Sequence, residues 1–458
     1  MAVKLSRLSS SNPWWKEGGW ECKDSDLKKI DNYLERKNIA IPEGKLVVIR
    51  GIRRSGKTVY LKHIVGQLIE NGVERKNIVY ISCDRFNRTE VKNIVKEILI
   101  KRGSGYLLLD EVTSLDRWSY LLKELMEKEN FTVVATGSNP IEMKNMTERL
   151  PGRGIEGNEY YFNPLSFRGF VKALVKLEDK IDEDYLRDAL KPLKNLDISF
   201  PPSDPSIEDL YPYYDEIERL FYVYILTGGF PNAILDFIED GIVSEETYEM
   251  ILRMLLGTLS KGKTNEDTAR RIMQEVVGTN RTDFSSIAEK IDVHHNTVRD
   301  YLELLERSRV VYRLYAWDLE KKKHAQRKKK KIIFQSSLIP VSLPIYLWGG
   351  GWSEARDYVE KNIESLVEDV IATHLIWSEE RPVMKEQRSF SGFYYDKKEC
   401  DYVMLKDGGF HGFESHYGKL KKKKYPFKTT YLTKDLMDEE SVPASLFLYG
   451  LEKSKYCI

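Results

Sequence analysis

The sequence predicts an α/β multidomain protein whose first folded part is a parallel sheet built around a phosphate-binding loop. Three observations carry this. The apolar run Leu46–Arg50 leads straight into Gly51-Ile52-Arg53-Arg54-Ser55-Gly56-Lys57-Thr58, the spacing GxxxxGK[ST]. β-Rich runs at 46–50, 77–82, 106–109 and 131–135 alternate with longer polar-apolar stretches, as parallel strands covered by helices do. Finally, 458 residues exceed what one hydrophobic core holds.

In chain order, residues 1–44 form an N-terminal segment in which 24–36 has helical spacing behind a capping Asp. Residues 45–170 form the P-loop core. From 171 to 262 strands are scarce and helical periodicity prevails around TGGFPNAI, where Gly228-Gly229 must break a helix; this is read as a helical lid. Residues 263–345 read as helix, short turn, helix and then a hairpin, the order of a helix-turn-helix with a wing. The hairpin's turn is expected in EKKKHAQRKKKK and its return in IIFQSS. Residues 346–458 combine one long helix at 355–378 with short strands and make a last α/β unit.

Lys plus Arg (72) balance Asp plus Glu (71), so a polyanion partner must be met by a local patch. Cys22, Cys83, Cys400 and Cys457 form no CxxC pair, which argues against a disulfide framework or a zinc site. The start lacks the apolar core of a secretory signal and no apolar run is long enough to span a bilayer. A cytoplasmic protein with no membrane partner is the expectation.

The loop residues Gly51, Ile52, Arg53, Arg54, Ser55, Gly56, Lys57, Thr58 and Val59 are candidate contacts for ATP. Glycines let backbone N–H groups converge on phosphate oxygens at the start of a helix. Lys57 would reach the β and γ phosphates and Thr58 would coordinate Mg²⁺. Arg53 and Arg54 point either to phosphate or to solvent. At the end of the run Tyr-Leu-Leu-Leu, Asp110 would hold the metal's water shell and Glu111 would polarise an attacking water, which argues for hydrolysis. Strand 131–135 ends in TGSNP, so Ser138 or Asn139 is placed to sense the γ-phosphate. Arg153 lies in a glycine-flanked loop, where an arginine suits neutralising charge on a phosphoryl group held by a neighbouring subunit. No base-reading motif such as NKxD separates ATP from GTP.

His294, His295, Asn296, Thr297 and Arg299 form the exposed face of a recognition-type helix, residues 294–299, with side chains able to touch bases or phosphates. Eight Lys or Arg among residues 321–331 give the wing tip a local basic density that the balanced total charge hides. DNA is the partner these features would serve.

Asn12-Pro13-Trp14-Trp15, GIRRSGKT, LLLDEV followed by Trp118, TGSN, LPGRG, NPLSF, GGFP and KKIIFQSSL occur in that order. Together they resemble the AAA-type ATPases of archaea and bacteria that carry a C-terminal domain of unknown function, and the resemblance covers nearly the whole chain. It implies an AAA+-like P-loop domain with a helical lid, a winged helix, and a C-terminal PD-(D/E)xK-like α/β domain related to restriction endonucleases. It also implies that Gly51, Gly56, Lys57 and Thr58 contact nucleotide and magnesium, that Asp110 and Glu111 are the metal and catalytic acids, and that Arg153 is an arginine finger in a homo-oligomer. No arginine beside Gly228-Gly229 is assignable as a second sensor.

A nuclease-like fold of that kind needs acids converging on a metal and a lysine beside the attacking water. Asp401 and Glu414 supply two acids and Glu364 or Glu368 a third, but His416 stands where the lysine is expected and Lys419 points another way along the strand. The expectation is an ATP-hydrolysing switch coupled to DNA-binding and nuclease-like modules, with no cleavage. The alternatives are a DNA-associated regulator with negligible hydrolysis and an ATP-gated nuclease.

Overall fold

The computed structural model describes residues 5–16, 18–21, 24, 27, 36–98, 104–127, 131–137, 158–259, 265–277, 281–282, 284–325, 330–381 and 391–458. The chain divides into two units, residues 1–163 with 456–458, and residues 164–455. The expected lid, hairpin and C-terminal α/β region thus fall within one unit. Among the described residues no single helix is long and apolar enough to cross a membrane.

In the first unit the strands β1 (Leu46–Arg50), β2 (Ile78–Ser82), β3 (Gly105–Asp110), β4 (Phe131–Gly137) and β5 (Glu159–Tyr161) form one parallel sheet in the order β2-β3-β4-β1-β5. Strands buried on both faces read as continuous apolar runs rather than alternating ones, which is why LVVIR and FTVVATG carry no polar face. One layer packs Val48, Ile81, Leu109, Val133 and Leu121; the other packs Ile49, Leu61, Ile64, Leu108 and Val134. The order inserts β4 between the loop-bearing β1 and the acid-bearing β3. Hence the ends of three adjacent strands meet at one edge.

The N-terminal segment closes the sheet's β2 edge. The Asn12 side chain accepts from Tyr80 N at 2.7 Å and donates to Tyr80 O at 2.9 Å, so one amide stands in for a neighbouring strand. Trp14 and Trp15 both donate their indole N–H to Ile78 O, at 3.1 and 2.8 Å. At the opposite edge the chain's last residues return: Tyr161 N donates to Tyr456 O and Ile458 N to Tyr161 O, at 2.8 and 2.9 Å. The expected helix at 24–36 lies almost entirely outside the described residues.

The helices α1 (Leu5–Ser11), α2 (Lys57–Glu70), α3 (Arg88–Ile98) and α4 (Trp118–Met126) belong to the first unit; in the second, α5 (Phe167–Lys176), α6 (Asp184–Leu190), α7 (Tyr214–Thr227), α8 (Pro231–Asp240) and α9 (Glu245–Leu259) make the helical region. Gly228 and Gly229 have positive φ, and a Cβ on either would collide, with Ser336 and Leu338 in the first case and with the Leu165 carbonyl in the second. Leu165 N donates to Gly229 O, Ser336 Oγ to Gly228 O and Ser337 Oγ to Ile225 O, at 2.8, 2.6 and 2.7 Å. The segments NPLSF, GGFP and FQSS, far apart in sequence, therefore form one knot.

Next come α10 (Glu266–Val277), β6 (Arg281–Thr282), α11 (Phe284–Lys290), α12 (His295–Arg307), β7 (Val311–Tyr315), a small hairpin of β8 (Trp317–Asp318) and β9 (Lys323–His324), and β10 (Lys330–Phe334). β10 lies antiparallel between β6 and β7. After α13 (Leu338–Trp348), α14 (Trp352–Glu379) is broken at Asn362. A mixed sheet follows, β11 (Ser391–Tyr395), β12 (Glu399–Lys406), β13 (Gly409–His416), β14 (Lys428–Thr433) and β15 (Ser441–Pro443), and α15 (Ala444–Gly450) closes the fold.

One expectation fails here. Lys331, counted with the exposed basic wing, is 1% exposed and points into a group of carboxylates rather than to solvent. Residues 326–329 of that run lie outside the described residues, while Lys321, Lys322 and Lys323 are exposed.

Candidate nucleotide site

The loop between β1 and the helix Lys57–Glu70 turns on two left-handed residues, Gly56 with φ 100° and Arg54 with φ 65°. Gly51 has no room for a side chain, since a Cβ would lie 2.0 Å from the Phe162 carbonyl oxygen. Ser55 Oγ donates to Ile52 O at 2.9 Å and pins the loop's curl. Lys57 is buried, and its ammonium donates to Gly51 O and Ile52 O at 3.0 and 2.8 Å. Burial pulls its pKa below the ordinary lysine value while Glu111 and Asp110 oppose the shift. Arg53 is half-buried and Arg54 exposed; Val59 is half-buried on the first turn of the helix.

Asp110 is the centre of the polar network. Its Oδ2 accepts from Thr58 Oγ1 at 2.7 Å and from Tyr80 OH at 2.9 Å, and its Oδ1 accepts from Thr136 Oγ1 at 2.6 Å. Three strands and the loop helix thus converge on one carboxylate, and the order β2-β3-β4-β1 is what brings them together. Glu111 follows with a left-handed backbone, φ 50°, and its N–H donates to Thr136 Oγ1 at 3.1 Å. That left-handed residue turns the chain out of the strand direction, and the glutamate's charge acts on Lys57.

The sequence placed Lys57, Thr58, Asp110 and Glu111 here, and the structure brings them together. It adds Thr136 and Tyr80, which sequence reasoning did not select. A hydroxyl residue at the last turn of a buried strand was the available signal for Thr136; Tyr80 had none. Ser138, Asn139 and Arg153 lie outside the described residues. A hydroxyl beside a carboxylate, with the other ligand positions left to phosphate and water, is the donor set Mg²⁺ takes in a phosphate site, so Thr58 and Asp110 fit that ion. Among the described residues no three His, Cys, Asp or Glu side chains are grouped to hold a metal alone.

The second unit carries a separate acid cluster. Lys331 Nζ lies 3.1 Å from Asp401 Oδ1 and 3.4 Å from Glu399 Oε1 and is ion-paired with Glu368. Burial alone would lower the lysine's pKa, but Asp401, Glu368 and Glu399 together hold it above the ordinary value. Burial pushes Glu368 up to about 7, aided by Asp401 and opposed by Lys331. Glu414, which accepts from Asp401 N at 3.2 Å, is paired with Lys423. His416 is held below its ordinary value by burial, so it is neutral near pH 7. Of the expected acids, Glu368 rather than Glu364 joins Asp401, and the lysines that reach the cluster are Lys331 and Lys423 rather than Lys419. Both come from segments no strand-spacing argument connects to Asp401. On the helix-turn-helix face, His294 caps α12, its Nδ1 accepting from Asn296 N at 3.2 Å, and Arg299 is exposed beside Asp300.

Residues 43–171 match the family described as an AAA domain, and residues 218–337 match a domain of unknown function (DUF8612). An uncharacterized protein of Methanocaldococcus jannaschii is 23% identical over 401 residues, spanning 82% of this chain and 75% of the relative. An uncharacterized protein of Haemophilus influenzae is 24% identical over 321 residues, 67% of this chain and 72% of the relative. Among solved structures, a DNA replication initiation factor is similar at 17% identity over 64% of this chain and 89% of its own, with a TM-score of 0.26. The family match and the geometry around Asp110 together support an AAA-type P-loop domain in the first unit.

Proposed function

We propose that this chain, with its AAA-type P-loop domain, hydrolyses ATP and uses the cycle as a conformational switch. The observation that carries the reading is the Asp110 carboxylate held at once by Thr58, Tyr80 and Thr136, with the Lys57 ammonium and Glu111 beside it. Lys57 exchanges the carbonyls of Gly51 and Ile52 for β- and γ-phosphate oxygens. Thr58 and Asp110 would hold Mg²⁺, which when bound would supply charge neutralisation at the phosphates. Glu111 orients and polarises the attacking water, and the Glu111 N–H bond to Thr136 fixes where that carboxylate starts from. Arg153 completes the site of a neighbouring subunit, so the working form is a homo-oligomer. Steady-state ATPase assays of the full chain, with and without DNA, test the reading; no turnover above a Lys57→Ala control would count against it.

The second unit is read as the part the switch acts on. Two helices followed by β7 and the returning β10 support a winged-helix arrangement over 263–345, with His294, His295, Asn296, Thr297, Arg299 and Lys321–Lys323 as its DNA-facing side chains. The acid cluster belongs to a restriction-endonuclease-like domain, residues 346–458. An ammonium at the centre of its carboxylates favours a structural role over metal-dependent cleavage.

A further inference from the structure

Arg36 is 6% exposed and belongs to no motif. One arm of its guanidinium donates to Ser55 O, inside the phosphate loop, at 3.1 Å, and the other donates to Asn163 O at 3.0 Å. Its plane lies over the Phe162 ring, 4.6 Å from the centroid. Phe162 is itself bound to the loop's entry: its N–H donates to Arg50 O at 2.6 Å, and its carbonyl presses on Gly51. The next residue along, Lys37, accepts from Tyr60 OH at 2.8 Å on the helix that follows the loop. One short segment therefore holds the entry strand's partner, the loop and the loop's helix.

The two carbonyls belong to different parts of the machinery. Ser55 is the residue before Gly56-Lys57, in the loop whose carbonyls at Gly51 and Ile52 hold the Lys57 ammonium that a phosphate would take over. Asn163 is the last residue of the first unit before the chain continues into Pro164. A planar guanidinium bonded to both transmits a displacement of one to the other, because its two arms move as a rigid body; a lysine ammonium on a flexible stem would not. Charge-assisted bonds of this kind, shielded from water, are strong enough to keep the two ends together through a loop movement.

We infer that Arg36 is a positioning residue for nucleotide binding and the link that carries the state of the phosphate loop to residues 162–163, where the chain leaves the first unit. This rests on the ATPase reading, and it assigns to the protein a route out of the nucleotide site that involves neither Glu111 nor Arg153.

The test uses the full chain as wild type, Arg36→Ala and Arg36→Lys, with ATP affinity, the KM and kcat of hydrolysis, and amide hydrogen exchange over residues 51–58 and 158–163. In the wild type, ATP should change exchange in both segments. In Arg36→Ala, ATP should bind about tenfold to a hundredfold more weakly, KM should rise more than kcat falls, and the ATP-dependent change at 158–163 should vanish. Arg36→Lys keeps the charge over Phe162, so it should fold if Arg36→Ala does not, and it should retain partial affinity while losing the coupled response at 158–163. If either folded variant binds ATP as the wild type does and keeps the ATP-dependent change at 158–163, the inference is overturned. A wild-type chain that binds no nucleotide sinks the ATPase reading instead. Exchange in the nucleotide-free chains then decides the clamp: faster exchange in both segments of the variant keeps it, and unchanged exchange removes it.

Discussion

Thr136 Oγ1 lies 2.6 Å from Asp110 Oδ1 and also accepts the Glu111 N–H at 3.1 Å, so one hydroxyl at the end of β4 holds the carboxylate that ends β3 and the backbone of the acid that follows it. A donor that orients a metal-binding carboxylate acts on the ion without touching it.

Thr136→Val removes this hydroxyl at nearly constant volume. Turnover should fall about 10–100-fold and the Mg²⁺ concentration for half-maximal activity should rise, while nucleotide binding without metal is unchanged. Tyr80→Phe should act in the same direction. Mg²⁺ titrations of the ATPase rate would show it, and curves superimposable on the wild type would remove Thr136 from the site.

Lys57→Ala should abolish ATP binding, since the charge on the β and γ phosphates is lost, whereas Glu111→Gln should bind ATP and not hydrolyse it. Equilibrium binding of a fluorescent ATP analogue separates the two. Equal loss of binding in both would exclude Glu111 as the base.

Arg153→Ala should keep ATP affinity and lower turnover by a factor on the order of 10³. Activity per chain should rise with protein concentration, and mixing Arg153→Ala with Lys57→Ala subunits should recover part of it. A mixture that co-assembles yet stays inactive speaks against a finger acting between subunits.

Lys331→Met leaves buried carboxylates without their cation and should destabilise the second unit by about 3–5 kcal/mol. Denaturant unfolding followed in that unit measures this. Wild-type chain should not cleave plasmid DNA with Mg²⁺ or Mn²⁺; cleavage that disappears in Asp401→Ala would overturn the structural reading of the cluster.

Burial holds His374 down to about 3, against an ordinary 6.5, while its Nε2 accepts from Phe167 N at 3.0 Å. The folded state thus favours the neutral ring. Its contribution to stability is complete above pH 6.5 and is lost as pH falls toward 3, by up to about 1.4 kcal/mol per pH unit. His374→Gln has no proton to gain and should flatten the acid limb of a stability-versus-pH curve; an unchanged limb would assign it to other groups.

The phosphate loop and Asp110-Glu111 were legible because their chemistry is contiguous in the chain and framed by a strand and a helix. The fold's alternation of strands and helices was legible for the same reason. Tyr80 and Arg36 were not, because each makes its contacts across the fold: Tyr80 OH meets Asp110 thirty residues on, and Arg36 meets Ser55 across 19 residues and Asn163 across 127. Lys331 misled because a lysine run reads as solvated, whereas its partners Glu399 and Asp401 lie 68 and 70 residues further along. Charge pairing between distant segments leaves no periodicity to read.

Asn12 has a consequence beyond the phosphate loop. β2 is an edge strand, and an open edge invites pairing with a second molecule. The Asn12 amide takes the Tyr80 N–H and carbonyl, and two tryptophans take the Ile78 carbonyl, so the docking register an incoming strand would need is already filled. Tyr80 is also the residue whose hydroxyl braces Asp110. Removing residues 5–15 would therefore bare the backbone groups of Ile78 and Tyr80 to an incoming strand and loosen the residue that braces Asp110 in the same stroke.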